Sequence, residues 1–512
     1  MTWIASCSGA ATDDAPSAGD TGATGGTSSA GGSSGVAGEA TAGRAAGGRS
    51  TGAGGSATAG SSAGAGLGAA GSAGSGGGSS GTAGEAAAGA AARTTGGASG
   101  AGGAGAGGAG TGFGGGAGEP SVPPLDCGDE GWAVENHGPP ENRVNYVILG
   151  DGYTAETVDT ALVEHINVML DRRFNHESGQ PYGRYRKFVN LCVMKAISET
   201  DGIGNGPTAF DGGNGGDRLA RVNESRVNTY LREHLPASFE VDWKAVVLNQ
   251  DLWENTGSAL MLWSGANRDA AGAALHEGGH GFHQLADEYC ASYTGARCGD
   301  DTGGSGAMGD EEAEVNSTGD PLTTGRKWDL WVGTTQKGLN SPDRGATGVQ
   351  GTFQGSRYVD SGQYRPSSNS MMNSLFGDAL DTSFNSVSRE QIVFTIWRAV
   401  KPIDSTVPPA GTTESPAVVG ASLLSVNVID PAVINVDWTI DGVTTENAGT
   451  SFDASGLSAG THSVVAKAYD NASTDLVKLR TSVCPSTVTG RYCAATAWKN
   501  SQQEVAWSVT KP

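Results

Sequence analysis

The chain has 512 residues, with 84 Gly, 17% charged residues and 6% aromatics, and its 32 Lys+Arg against 54 Asp+Glu leave a formal net charge of −22. That acidity argues against nucleic acid and anionic membrane surfaces as partners, because both attract Lys/Arg-rich faces. There is no run of 18 or more apolar residues, so no membrane-spanning helix is expected.

The glycine is uneven. From about Ala10 to Gly118 the chain is almost entirely Gly, Ala, Ser and Thr, with Leu67 and Phe113 nearly the only large apolar residues. Such a segment buries too little surface to offset its ordering entropy and is expected to be a disordered tether, residues 1–118. As a flexible coil, about 110 residues reach roughly 55–65 Å. The tether begins with Ile4-Ala-Ser-Cys7, which is similar to a bacterial lipobox, so Cys7 is the expected lipid anchor. A signal peptide's basic and apolar regions belong upstream of such a box, and only three residues precede Ile4. An exported protein, secreted or held on the outer surface of a bacterium as a lipoprotein, is the expected setting. Any membrane contact would run through that anchor.

A Pro-rich hinge and lead-in cover 119–140. Val144–Leu149 is an apolar run ending at Gly150-Asp-Gly152, a buried strand followed by a turn. Ala155–Phe174 has helical spacing through Val158, Leu162, Ile166, Val168 and Leu170. Lys187–Lys195 reads as a second strand, Asp201–Asp217 as a loop, and Asp217–Leu235 as a helix. Trp243–Asn249 and Gly257–Trp263 are two further strands, followed by a helix over Asn267 to about Gln284. Strands alternating with helices predict an α+β domain over 141–402. After a linker at 403–417, the segment 418–512 changes to short alternating runs such as Val433–Ile440 and His462–Tyr469. These predict an immunoglobulin-like β-sandwich with Trp438 in its core.

Six cysteines lie outside the anchor: Cys127, Cys192, Cys290, Cys298, Cys484 and Cys493. An even number suits an oxidising compartment. Cys290/Cys298 and Cys484/Cys493 are placed to close short loops, leaving Cys127 with Cys192, one of about 15 possible pairings.

The chemistry is concentrated in Leu275-His-Glu-Gly-Gly-His-Gly-Phe-His-Gln-Leu-Ala-Asp-Glu-Tyr289. His276 and His280, four apart, share one helical face and can hold one divalent ion between them. Glu277 can reach a water on that ion. This is the His-Glu-x-x-His signature of zinc peptidases, and with only 8 His in the chain chance would produce it in about one chain in 80. A catalytic zinc needs a third protein ligand and an open position. His283, Asp287 and Glu288 are the candidates. On an unbroken helix Asp287 would lie about 10 Å along the axis from His280, so the helix must break after His280. Asp287 is the expected ligand, with Glu288 as the alternative. Zinc would lower the pKa of its water toward about 7, and Glu277 would act as general base. The outer edge of Gly257–Trp263 is the expected docking edge for an extended peptide. Calcium is a further possible cofactor, at Gly299–Glu314 or at Asp201, Asn205, Asp211, Asn214 and Asp217, although no EF-hand spacing is present.

These motifs resemble those of the bacterial IgA-peptidase family of zinc metallopeptidases. His276–Tyr289 is similar to that family's active-site stretch, notably at Leu285-Ala-Asp-Glu-Tyr289. Leu149-Gly-Asp-Gly-Tyr-Thr154 is similar to its early strand and turn, and Tyr364–Asn373 to its later Met-containing turn. The resemblance spans about Asn142 to Ala399. It implies a metzincin-like zincin fold, a zinc endopeptidase acting on protein or peptide, and Met371 or Met372 as an apolar floor beneath the ion. Gly278, His283-Gln284 and Ser370 depart from the family pattern, so cleft shape and substrate choice do not carry over. Neither does the cutting of IgA. Other readings of the same residues are a zinc amidase acting on peptidoglycan cross-bridges and a non-catalytic surface adhesin with a structural zinc. Oligomeric state is not legible.

Overall fold

The central apolar runs become the middle of a five-stranded sheet. In the computed structural model the described residues are 123–216, 219–289, 304–305, 314–319, 327–336, 348–373, 382–479 and 495–512. The tether, Cys7, Cys290, Cys298, Cys484, Cys493, Asp217 and most of Gly299–Glu314 lie outside them.

The sheet joins β1 (Gly131–Glu135), β2 (Val144–Asp151), β3 (Val189–Met194), β6 (Trp243–Leu248) and β7 (Leu260–Ser264) in the order β1-β3-β2-β6-β7. Four strands run parallel, and β1 lies antiparallel on the far edge. Every residue of β2 and β3 is buried, as both faces are covered. Tyr146 and Ile148 join the apolar cluster of helices α1 (Val163–Asn175) and α3 (Ala270–Gly281). Val147 and Leu149 join that of α2 (Glu224–His234). A strand buried on both sides loses the polar/apolar alternation, which is why these runs are continuously apolar. Cys127 and Cys192 form a disulfide with Cα atoms 5.6 Å apart, tying the chain before β1 to β3.

Several expected elements differ at their ends. A π-helical turn at Val158–Leu162 precedes α1, and Val168 is exposed rather than on its inner face. The expected loop 201–217 contains β4 (Gly213–Gly216), which pairs with β5 (Leu219–Arg221) where a helix start was expected. The helix waits for Asn223, whose side chain caps it by accepting from the Arg226 N–H. The strand expected over Gly257–Trp263 begins only at Leu260. Its outer edge is not open at the centre: Leu262 and Thr256 exchange both backbone hydrogen bonds, at 2.9 and 3.0 Å.

A small sheet of β8 (Gly304–Ser305), β9 (Phe353–Ser356) and β10 (Val359–Arg365) follows, then helix α4 (Ser386–Ala399). The expected linker is partly strand: β11 (Ile403–Val407) pairs with β13 (Leu423–Val428), which pairs in turn with β16 (Ser451–Asp453). A second sheet runs β12 (Ala417–Val419), β18 (Gln502–Lys511), β17 (Gly460–Asp470), β14 (Ile434–Ile440) and β15 (Val443–Thr445). Trp438 and Trp507 stack between them at 5.8 Å, both buried. A short helix, α5 (Ala495–Asn500), precedes β18. Among the described residues no helix is long and apolar enough to cross a membrane. The whole is an α+β molecule of several sheets and few helices.

Candidate metal centre

Helix α3 follows the edge strand β7 and is made of Ala and Gly up to Leu275, buried throughout from Ala270 to His280. Small side chains let it sit close to the sheet. Gly279 shows the same need: a Cβ there would lie 2.6 Å from the Met372 sulfur. After Gly281 the helix ends. Gln284 takes a left-handed conformation (φ 59°), and the Leu285 N–H donates back to the Gly279 carbonyl at 2.9 Å. The chain therefore doubles back and brings Asp287 onto the histidine pair.

Three donor atoms meet there. Asp287 Oδ1 lies 3.0 Å from His276 Nε2 and 3.1 Å from His280 Nε2, and the two nitrogens are 3.2 Å apart. Ligands about 2.0–2.1 Å from a tetrahedral ion stand roughly 3.3–3.4 Å from one another, so the group needs only tenths of an ångström to accept one. Among the described residues His276, His280 and Asp287 are the group able to hold a metal, and all are buried. The tautomers suit it. His276 Nδ1 donates to the Met371 carbonyl at 2.9 Å and His280 Nδ1 to the Leu285 carbonyl at 2.7 Å. A carbonyl only accepts, so each Nδ1 carries hydrogen and each Nε2 faces inward, able to bind an ion once its own proton has left.

Burial opposes charge on all three groups, yet their mutual attraction wins. The carboxylate of Asp287 lifts the pKa of His276 and pushes that of His280 up to about 10. The two histidines in turn hold Asp287 far below the usual carboxylate range. Glu277 behaves differently: burial raises its pKa, against the lowering pull of the histidines. Its carboxylate faces Gly257, where a Cβ would come within 2.6 Å of Oε2 and 2.7 Å of the His280 ring.

Glu288 is not brought to the group. Its Oε1 accepts from Asn316 and Asn385 at 2.9 and 2.7 Å, and Oε2 from the Ser370 hydroxyl at 2.6 Å. It anchors the turn Ser370–Asn373, whose Met371 carbonyl holds His276 and whose Met372 packs under α3. His283 is buried among Tyr182, Trp243 and Phe282, and among the described residues neither ring nitrogen has a hydrogen-bond partner. Burial, then Arg173 and Arg398, hold its pKa well below normal, so it is neutral. The described residues of the expected calcium loop Asp201–Asp217 bond to protein groups. Asp201 accepts from Thr157 and Asn249, Asn205 donates to the Asp201 carbonyl, Asp211 pairs with Arg226, and Asn214 donates to Glu254.

Two site features were not foreseen. Tyr358 donates its hydroxyl to Asp287 Oδ2, and Arg357 beside it pairs with the buried Glu314 at 3.1 Å. Both come from the β9–β10 tip, about 70 residues beyond Asp287, and no spacing rule links the two.

The chain thus has a buried His-His-Asp group that could hold a metal ion, with an acid one residue after its first histidine. Residues 133–344 match the family model described as IgA Peptidase M64, and over those residues the chain is similar to that peptidase family. The match ends before Met371 and Met372. No curated protein matches the chain.

Proposed function

We propose that the protein is a zinc-dependent endopeptidase. The observation that carries this reading is the convergence of His276 Nε2, His280 Nε2 and Asp287 Oδ1 within 3.2 Å of one another, with Glu277 on the same helix. Two imidazoles and one carboxylate also suit non-haem iron. The adjacent Glu277 favours zinc hydrolysis, because a general base has its place there. When bound, the ion would polarise the scissile carbonyl and acidify a water. Glu277 takes that water's proton on its carboxylate and returns it to the leaving amine. Its raised pKa suits both halves of the transfer. Met371 holds the His276 tautomer through its carbonyl, and Met372 supplies the apolar floor.

The wider reading is a metzincin-like catalytic portion over 141–402 and an Ig-like sandwich over 418–512. The tether 1–118, anchored through Cys7, would hold it on an exported bacterial surface. The Cys127–Cys192 disulfide supports the oxidising setting.

The test runs wild type and Glu277→Gln side by side on a mixed peptide library, with metal content measured and products read by mass spectrometry. Wild type should cut, and the variant should keep its zinc and lose about 10²-fold or more in kcat. If both hold zinc and neither cuts peptides, the endopeptidase reading fails. Release of cross-bridge fragments from cell wall would then point to the amidase, and no release to a structural site.

A further inference from the structure

Among the described residues, a side chain from outside the motif reaches the proposed metal centre. Tyr358 donates its hydroxyl to Oδ2 of Asp287, while Oδ1 faces both histidine Nε2 atoms at 3.0 and 3.1 Å. The two oxygens of one carboxylate thus have separate partners.

The backbone that delivers this hydroxyl is unusual. Arg357 and Tyr358 form the tip between β9 and β10 with φ of 51° and 66°. Two successive left-handed residues are what a tight hairpin turn of this hand requires, and Asn-Gly is its ordinary sequence. Arginine and tyrosine take that conformation only against steric resistance. The surroundings hold it. The Arg357 N–H donates to the Asp287 carbonyl at 2.9 Å and the Tyr358 N–H to the Tyr289 carbonyl at 3.1 Å. Ser356 Oγ donates to the Asp287 carbonyl at 3.2 Å, and the Arg357 guanidinium pairs with Glu314. The Tyr358 ring packs edge-on against Tyr289 at 5.1 Å, and Tyr289 stacks over His276 at 6.4 Å. A strained tip is therefore clamped, by main chain and side chain, to the segment that carries Asp287. Strain held in this way clusters at functional sites.

We infer that Tyr358 is a positioning residue of the metal centre: its hydroxyl holds Oδ2 and turns Oδ1 toward the histidines, which favours coordination of an ion through Oδ1. A carboxylate free at both oxygens can chelate an ion with both and close a coordination position. A catalytic ion needs that position open for water and substrate, and partners behind the ligands set their orientation. The inference rests on the metal reading proposed above.

The test uses the full chain as wild type, Tyr358→Phe and Arg357→Ala, the last keeping the hydroxyl but freeing the tip from Glu314. Zinc affinity is measured by chelator competition. The visible absorption of the Co²⁺-loaded proteins reports coordination number, and peptide hydrolysis is followed in parallel. Tyr358→Phe should weaken zinc binding about 10–100-fold and shift the cobalt spectrum toward higher coordination, with Arg357→Ala moving both in the same direction by less. Unchanged affinity and spectrum in Tyr358→Phe would overturn the inference, including the case where kcat alone falls, which would place the hydroxyl on the substrate. A wild type that binds neither zinc nor cobalt would sink the metal reading itself, and this inference with it.

Discussion

Proton affinity at His280 connects the site's electrostatics to its metal chemistry. Asp287 and its neighbours hold the His280 pKa at about 10 despite burial. That lies above the unfolded value of roughly 6.5. The stabilisation from this proton is therefore complete below about pH 6.5 and fades as pH rises through about 10. Metal affinity runs the opposite way, because an ion on Nε2 must expel the proton, so affinity climbs across the same window. Calorimetric titration with zinc at pH 7.5, in buffers of different ionisation enthalpy, should show proton release. A heat independent of the buffer would contradict it. At this scale His276, Glu277 and His280 are legible because a four-residue spacing needs only a helix. Asp287 is legible as a candidate, but choosing it over Glu288 depends on which acid Ser370, Asn316 and Asn385 bind. Tyr358 is not legible, since its partner is fixed by tertiary packing alone.

Among elements, α3 and the segment entering β7 define how tightly the site is built. Gly257 lies where a Cβ would meet both the Glu277 carboxylate and the His280 ring. The histidine ring is fixed by its bond to the Leu285 carbonyl and has little room to retreat. Gly257→Ala should lower stability by about 1–3 kcal/mol and weaken zinc binding. Gly456→Ala is the control, as a Cβ there meets nothing within 4 Å. Thermal unfolding with and without metal checks both, and equal melting temperatures for the two variants would refute the crowding. The parallel strands are readable in the sequence because burial on two faces leaves continuous apolar runs. The β4–β5 hairpin is not, because Gly-Asn-Gly-Gly carries no strand signal and is ordered by pairing with β5. The edge of β7 misleads for a related reason: an apolar strand does not reveal that Thr256 returns to occupy it.

For the molecule as a whole, the C-terminal sheets are built into the rest of the fold. One apolar cluster runs from Val144 and Tyr146 through Trp397 to Trp438 and Trp507. Asp470 joins the parts: it accepts from Tyr185 at 2.6 Å, Trp397 at 2.9 Å and Arg184 at 2.9 Å. Arg143 and Asp404 form a two-pronged pair, both bonds at 2.7 Å. Asp470→Ala leaves these donors without their acceptor and should cost about 3 kcal/mol. Urea unfolding should remain a single transition, and a chain ending at Pro402 should fail to fold. Two separate transitions in the wild type would instead make the C-terminal part an independent module.

The sequence by itself determined what local spacing and composition can specify: the low-complexity start, the alternation of strands and helices, the helix carrying His276, Glu277 and His280, and the change to short β-runs after it. Each follows from a period or a composition read within a few residues. Tertiary structure alone decided how the helix ends, that Asp287 and not Glu288 reaches the histidines, and that an expected linker becomes β11. It also brought Tyr358 to the carboxylate. Those outcomes depend on contacts between residues tens to hundreds apart, where burial and hydrogen-bond geometry choose among conformations that the local sequence leaves nearly equal in energy.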